Sequence, residues 1–525
     1  MNQPFPTQPG AVPAQTPAPA PVQNKVQAPV SAPVKVPPPL AEKKVFYGAG
    51  NQKTQRPSDD VFYVTTAIDY VTDPPHIGHA YEKIAADILS RYWRRRGVEV
   101  FFLTGTDEHG QKIAQAAEKN GLPPKKFVDE MSMKYQAAWS ALEIKYDNFI
   151  RTTDPEHEKY VQSFVQKLYG LGDIYKDRYE GLYCVGCEEY KVPKELIEGK
   201  FCPVHKTKCQ GVYEDVYFFK LSKYQNLIVE IIKKDKIKIE PQTKRNEILK
   251  FLTSQKLQDL AISRSKVEWG IPVPWDKSQT IYVWVDALLN YITGSRGNWP
   301  PYLHLIGKDI FRFHCIIWPA LLLAAGIELP RKIFIHGFLT VGGEKLSKTR
   351  GNVINPLEIV KVYGVDALRY FLFREVPFGQ DGDFSIERFE QRYKSDLAND
   401  LGNLVQRTIV MANKYQIKWT YKLVGKPFHQ IDQAIENLEF HQALEWIWQM
   451  ITEANQKIDI EKPWVLAKED PKKLNEVIGQ LLETLSHIAF IIDPFMPETS
   501  WSIIEQLKTR KPYPLFPPIG KSKSA

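Results

Sequence analysis

Two short strings carry most of the chemistry that this chain of 525 residues could perform. The first is Pro75-His76-Ile77-Gly78-His79, in which two histidines stand three residues apart with a glycine between them. At helical spacing both imidazoles share one face, and Gly78 lets the backbone come close to a ligand. Imidazole donors at a helix N-terminus suit a triphosphate. The second string is Gly342-Gly343-Glu344-Lys345-Leu346-Ser347-Lys348-Thr349-Arg350-Gly351-Asn352. Its glycines leave the backbone mobile, and Lys345 and Lys348 can set ammonium groups on phosphate oxygens as charge builds in a transition state. Taken singly, the first string reads equally well as core-satisfied or exposed histidines, and the second as a solvated basic loop. In this order and separated by an insertion, the two are far more specific than either alone.

A third cluster is Cys184-Val185-Gly186-Cys187 followed by Cys202-Pro203-Val204-His205. Two donor pairs at this spacing can close a tetrahedral Zn²⁺ site, and a site ligated wholly by protein is structural rather than catalytic. Cys209 competes with His205 for the fourth position, but its greater distance and its Lys208 neighbour favour His205. Five cysteines in so long a chain are no disulfide framework, which points to a reduced, cytoplasmic setting.

The elements that must position these groups follow from pattern. Val61 to Ile68 is a continuous apolar and β-branched run, as in a strand buried on both faces. After Asp73-Pro74-Pro75 a helix is expected, with Ile77, Ala80, Ile84, Ile88 and Leu89 on its buried stripe, and then a second strand from Val98 to Leu103. Strand, helix, strand opens a nucleotide-binding α/β fold, whose ligand sits at the carboxyl end of the first strand. Strand-like runs recur at Ile281 to Val285, Tyr302 to Ile306 and Lys332 to Ile335. Beyond Arg388, Ile431, Ala434, Ile435, Leu438, Leu444, Ile447 and Ile451 recur at helical spacing, which predicts a helical bundle.

The resulting division is a Pro/Ala-rich disordered tail (1–57), the first half of a Rossmann-like domain (58–172), a zinc-binding insertion (173–281) and the second half (282–340). A loop region bearing the lysines (341–390) and a helical domain (391–518) complete it. The tail holds 13 of the 38 prolines, and an organelle transit peptide is its functional alternative. No apolar run reaches the length of a membrane span, and no secretory signal opens the chain. Six basic residues and one acidic residue in the tail supply five of the eight net positive charges. A polyanionic partner must therefore be met by local patches rather than bulk charge.

At this point the sequence resembles the class I aminoacyl-tRNA synthetases, whose signatures are written HIGH and KMSKS. His76-Ile77-Gly78-His79 matches the first completely. Lys345-Leu346-Ser347-Lys348-Thr349 departs from the second at Leu346 and Thr349, which keep volume and hydroxyl while both lysines stand. Further strings resemble the methionyl members: Thr104-Gly105-Thr106-Asp107-Glu108-His109-Gly110, Trp269-Gly270-Ile271-Pro272-Val273-Pro274, Tyr282-Val283-Trp284-Val285-Asp286-Ala287-Leu288 and Gly307-Lys308-Asp309-Ile310. The resemblance extends from about Asp59 into the bundle.

The resemblance implies a class I fold, a parallel sheet split by a single zinc knuckle of the bacterial type, and methionine–tRNA ligation through methionyl adenylate. It implies a methionine pocket of Ile68, Tyr70, Trp284, Ala287, Leu288, Tyr291, Ile310 and His314, with Asp107 near the substrate ammonium. ATP, as its Mg²⁺ complex, would meet His76, Gly78, His79, Gly307, Asp309, His336, Leu339 and Lys348. His76, His79, Lys345 and Lys348 would be catalytic, and Asn403, Arg407 and Trp464 would read the anticodon of methionine tRNAs, initiator and elongator. One structural Zn²⁺ would sit on Cys184, Cys187, Cys202 and His205. The chain is expected to act as a monomer, without membrane or DNA. Two alternatives stay open: another class I synthetase, such as the cysteine enzyme, and a catalytically inactive RNA-binding paralogue.

Overall fold

The computed structural model describes residues 61–186, 189–191, 196–203, 206–345, 353–422 and 428–518. The proline-rich tail, Cys187, His205 and Lys348 lie outside the described residues, and of Lys345 only the backbone is described.

The first half of the chain contributes β1 (Val61–Thr66), β2 (Asp69–Tyr70), α1 (Ile77–Arg95), β3 (Glu99–Asp107), α2 (Gln111–Lys119), α3 (Pro124–Ala141), β4 (Asn148–Arg151) and α4 (Pro155–Gly170). There follow β5 (Ile174–Cys184), β6 (Glu189–Lys191), β7 (Gln210–Phe219), α5 (Gln225–Lys233), β8 (Lys238–Glu240), α6 (Gln242–Ser254), β9 (Leu260–Ala261), β10 (Ser263–Arg264), β11 (Pro272–Val273) and β12 (Asp276–Ile281). The second half adds α7 (Val283–Thr293), β13 (Leu303–Gly307), α8 (Trp318–Ala325) and β14 (Lys332–His336).

Strands β2-β3-β1-β13-β14-β8 form one sheet in that order, with β4 also paired to β3, and every pairing is parallel. Five of the six residues of β1 are buried, as its unbroken apolar run requires of a strand covered on both faces. All five apolar positions expected on α1 are buried.

Two expectations need correction. The run Ile281 to Val285 is not a strand: β12 stops at Ile281 and α7 begins at Val283. Valine and tryptophan favour strands only weakly, and a segment buried nearly all round satisfies its backbone equally well as a helix. Likewise the span 173–281 is not wholly an insertion, because β8 pairs with β14 as an edge of the main sheet. The separate body within it is the antiparallel sheet β6-β5-β7-β9.

A small sheet of β15 (Leu339–Val341), β16 (Glu344–Lys345) and β17 (Gly382–Asp383) then brackets α9 (Pro356–Tyr363) and α10 (Val365–Glu375). Helices α11 (Ile386–Arg392), α12 (Asn403–Lys414), α13 (His429–Glu436), α14 (Phe440–Glu461), α15 (Pro463–Glu469), α16 (Pro471–Ile492) and α17 (Pro497–Thr509) make the bundle. The seven apolar positions expected on its buried faces are all buried.

The bundle is fastened to α1 by charge. Arg369 of α10 is wholly buried, and its guanidinium donates to Asp87 Oδ2 (2.6 Å), Leu142 O (3.3 Å), Pro494 O (3.0 Å) and Phe495 O (2.9 Å). At the far end of α1, Arg95 pairs with Asp493 (2.7 Å), Tyr92 donates to Glu436 (2.7 Å), and Arg96 bonds Asp432. Removing one partner of a buried pair strands the other charge, so Arg369→Met is expected to cost about 3–5 kcal/mol in urea unfolding. Arg94→Ala, which breaks a partly exposed pair with Asp147, should cost less than about 1 kcal/mol.

Candidate active site and nucleic-acid interface

Helix α1 begins at the signature histidines, and its first turn fixes what they can offer. His76 is the N-cap; its Nδ1 accepts from Gly78 N (3.1 Å), while His79 Nδ1 accepts from His76 N (3.2 Å). The two rings stack with centroids 3.8 Å apart. A ring nitrogen that accepts from backbone carries no proton, so each neutral ring holds its N–H at Nε2, the donor tautomer a phosphate oxygen needs. Burial, the neighbouring His76 and then Lys83 hold His79 well below the usual imidazole range, which keeps it neutral.

Backbone bonds place the two flanks of the lysine string near these rings and on the small sheet. Ile77 N donates to Ile354 O (3.0 Å), so the chain leaving the loop is bonded to the first turn of α1. On the entering side, β15 and β16 form a hairpin whose turn residues, Gly342 (φ 62°) and Gly343 (φ 76°), occupy the left-handed region that favours glycine. Asp383 braces that turn, accepting from Gly343 N (2.8 Å) and Thr340 Oγ1 (2.7 Å). The hairpin ends at Lys345, and Lys348 lies beyond the described residues.

At the carboxyl ends of β13 and β14, Gly307 and His336 are register partners, and a Cβ on Gly307 would stand 2.8 Å from Asp309 Oδ1 and 3.8 Å from the His336 ring. This is a tight cradle, with Leu339 buried three residues beyond His336. His336 Nε2 also lies 3.5 Å from Glu82 of α1.

The proposed amino-acid pocket is gathered into one apolar cluster. Leu288 and Tyr291 lie in it, and Ile68, Tyr70, Trp284 and Ile310 pack against it; Ala287 is buried on the same helix, α7. His314 sits in a wide, π-type turn, Phe313–Ile317. Its Nδ1–H donates to Ile310 O (3.0 Å), leaving Nε2 to accept from Tyr291 OH (2.7 Å). Burial lowers the His314 pKa to about 4. Trp284 is stacked on Phe313 at 3.8 Å, and Tyr70 is the register partner of Asp107, itself buried at the end of β3.

Sequence spacing missed a buried His-Asp-His unit beside this pocket. Asp286 meets His109 Nδ1 at 2.8 Å and His157 Nε2 at 2.7 Å, which ties α7 to the segment after β3 and to α4. Partners 177 and 129 residues away leave no local signal, although His109 and Asp286 both stand in strings quoted above. It also missed Glu82, Lys83 and Asp69, all buried; the available signal was a Lys on the apolar stripe of α1, three residues after Ala80.

In the insertion, Cys184, Cys202 and Cys209 are buried together with Leu196. The β-bridge between Phe201 and Lys208 folds Cys209 back toward Cys202, and burial, with Cys184 and Cys202 beside it, pushes the Cys209 thiol up. No cluster able to hold a metal ion closes among the described residues, which do not include Cys187 and His205.

On the bundle, Asn403 is exposed and Arg407 half-buried on one face of α12, and Arg407 donates to Asp459 of α14 (3.0 Å). Lys462, in the left-handed region at φ 45°, turns the chain from α14 into α15. Trp464 follows and is 48% exposed, so it is no core aromatic.

Comparison with known proteins agrees with this geometry. The family described as tRNA synthetases class I (M) matches residues 62–215 and 191–409, and the anticodon binding domain of methionyl tRNA ligase matches 417–515. A methionine–tRNA ligase of Caldanaerobacter subterraneus is 45% identical over 471 residues, covering 85% of this chain and 74% of that protein. One from Streptomyces coelicolor is 42% identical, covering 86% and 91%. The solved structure of Mycobacterium tuberculosis methionyl-tRNA synthetase in complex with methionyl-adenylate superposes with a TM-score of 0.80 at 39% identity, covering 88% of this chain and 99% of that one.

The buried ion pair gives a pH signature. Burial disfavours the His109 cation, but Asp286 outweighs it and raises the pKa from 6.5 to about 10. The stability this confers is complete below the ordinary value and lost as pH rises through about 10. The melting-temperature gap between wild type and Asp286→Asn is therefore expected to be widest near pH 6 and to shrink steadily toward pH ~10.

Proposed function

The chain belongs to the class I tRNA synthetases of the methionyl type, and from that premise we propose how its residues carry methionine–tRNA ligation. ATP and methionine give methionyl adenylate and pyrophosphate, and the methionyl group then passes to the 3′-terminal adenosine of initiator and elongator methionine tRNAs. The observation that carries this reading is the Ile77–Ile354 hydrogen bond, which ties the chain that follows the lysine string to the first turn of the signature helix.

In the first step a methionine carboxylate oxygen attacks the α-phosphorus in line, the bond to the bridging oxygen breaks, and pyrophosphate leaves with its electron pair. The chain's part is positioning and charge stabilisation. His76 and His79, neutral and donating from Nε2, hold phosphate oxygens at the helix N-terminus, where the dipole favours anions. Lys345 and Lys348 take up the charge that develops on the leaving group, and Mg²⁺ arrives with ATP as part of the substrate complex. Gly307, Asp309, His336 and Leu339 hold ribose and adenine. An unbranched thioether lies against Trp284 and Tyr291, with sulfur–aromatic contacts of about 0.3–1.5 kcal/mol. His314, uncharged at neutral pH, adds a wall that rewards no charged side chain.

Asn403, Arg407 and Trp464 supply an amide, a guanidinium and an indole for unstacked anticodon bases. The exposure of Trp464 supports that role. We assign one structural Zn²⁺ to Cys184, Cys187, Cys202 and His205; the burial of Cys184 and Cys202 in one small cluster fits such a knuckle. Cys209, gathered beside them, is the alternative fourth donor.

Lys348→Ala should slow pyrophosphate exchange ~10²–10³-fold while leaving methionine binding nearly unchanged, and exchange at a near-normal rate would remove Lys348 from the reaction. Trp464→Ala should weaken charging by about 1–3 kcal/mol in kcat/KM for tRNA, with amino-acid activation untouched. Elemental analysis should find about one zinc per chain, lost in Cys202→Ser; zinc retention in His205→Ala against Cys209→Ala identifies the fourth donor.

A further inference from the structure

A buried lysine holds the amino-acid side of the site to the phosphate side. Lys83 Nζ donates to Asp69 Oδ1 at 2.6 Å and to Ala67 O at 3.0 Å, and its side chain is 1% exposed. The preceding residue, Glu82, accepts from Ala67 N at 2.6 Å. Two consecutive residues of α1 thus grip both backbone groups of Ala67, the first residue after β1, whose N–H also reaches Leu305 O of β13 (3.2 Å). Ala67 leads directly into Ile68 and Tyr70, two walls of the proposed pocket, whereas α1 is capped by His76 and carries His79 one turn before Lys83.

A lysine without access to water is costly unless it does something its neighbours cannot. A purely structural filler here would be apolar, as are Ala80, Ile84 and Ile88 on the same stripe. The charge is instead matched by Glu82 (3.8 Å) and, more closely, by Asp69 on β2, a strand of two residues that among the described residues pairs only with the end of β3 at Thr106 and Asp107. So short a strand does not fix its own position.

We propose that Lys83, held by Asp69, is a positioning residue for the amino-acid subsite, locking the Ala67–Tyr70 segment to the signature helix so that methionine meets the α-phosphate at a fixed offset. This rests on the methionine-activating reading above. Lys83 touches no substrate in this account; it acts through Ala67 and the segment that follows.

The test is steady-state pyrophosphate exchange on the full chain, with the methionine and ATP constants measured separately. The double variant Asp69→Asn/Lys83→Met leaves neither charge of this pair buried alone, while Glu82, 3.8 Å from the Lys83 ammonium, keeps Ala67 N and His336 as partners. The second Asp69 oxygen has no hydrogen-bond partner among the described residues, so the amide breaks no further bond. The expected result is a methionine KM raised about tenfold with the ATP KM changed less than about threefold, in protein that melts cooperatively. Lys83→Arg, which keeps the positive charge and its donors, should recover most of the methionine affinity. A lowered kcat with both KM values intact, the mark of fewer folded molecules, overturns the proposal, as does an unaltered methionine KM. If the double variant does not fold, Asp69→Asn alone decides: a methionine KM raised about threefold supports the lock and an unchanged one overturns it. Wild-type chain without methionine-dependent exchange would instead defeat the functional reading itself.

Discussion

Helix α1 can serve two ends of the molecule only because charges buried along it are all matched. Asp87 is fully buried and meets Arg369, Arg91 (2.7 Å) and the backbone N of Lys145 (2.9 Å). One turn earlier, Lys83 meets Asp69. A single uncompensated charge in this row would cost several kcal/mol, so the partners must arrive together from β2, the end of α3, α10 and the α16–α17 turn. The packing of these elements is thereby fixed by one helix of 19 residues, about 28 Å long. Its N-terminus presents two imidazoles; its C-terminus is seated on the bundle.

That arrangement suits a reaction in which the protein forms no covalent bond with substrate. Acceleration must come from holding the carboxylate, the α-phosphorus and the counter-charges in place, and each displacement of a tenth of a nanometre is costly. The cradle at Gly307 and His336, the braced glycine turn before Lys345, and the His314–Tyr291 hydrogen bond are all devices of fixed position. The side chains proposed to read the anticodon share the same frame, because Arg369 bonds the Pro494 and Phe495 carbonyls at the base of the bundle.

Local chemistry was legible in the sequence and partnership was not. His76, Gly78 and His79 could be placed at a helix start because N-capping and glycine spacing are properties of neighbouring residues. The helical faces of α1 and the bundle followed from apolar period for the same reason. The strand expected at Ile281 to Val285 failed because β-branched and aromatic residues in a fully buried segment do not reveal the period of their backbone. Edge strand β8 was hidden inside the insertion because its three residues pair with a strand 94 positions later, Lys238 with Lys332. The His109–Asp286–His157 unit and the Asp69–Lys83 pair share that cause: ion pairs join residues by space, and a single sequence shows only their types.

A framework so built should activate methionine and no other amino acid. The most direct measurement is ATP–pyrophosphate exchange by the purified full-length chain with each of the twenty amino acids supplied in turn. Exchange should be strong with methionine and at least ~10²-fold weaker, as kcat/KM, with leucine, isoleucine, valine and cysteine. Equal or greater exchange with any of them, or none with methionine, would show that the pocket does not select methionine.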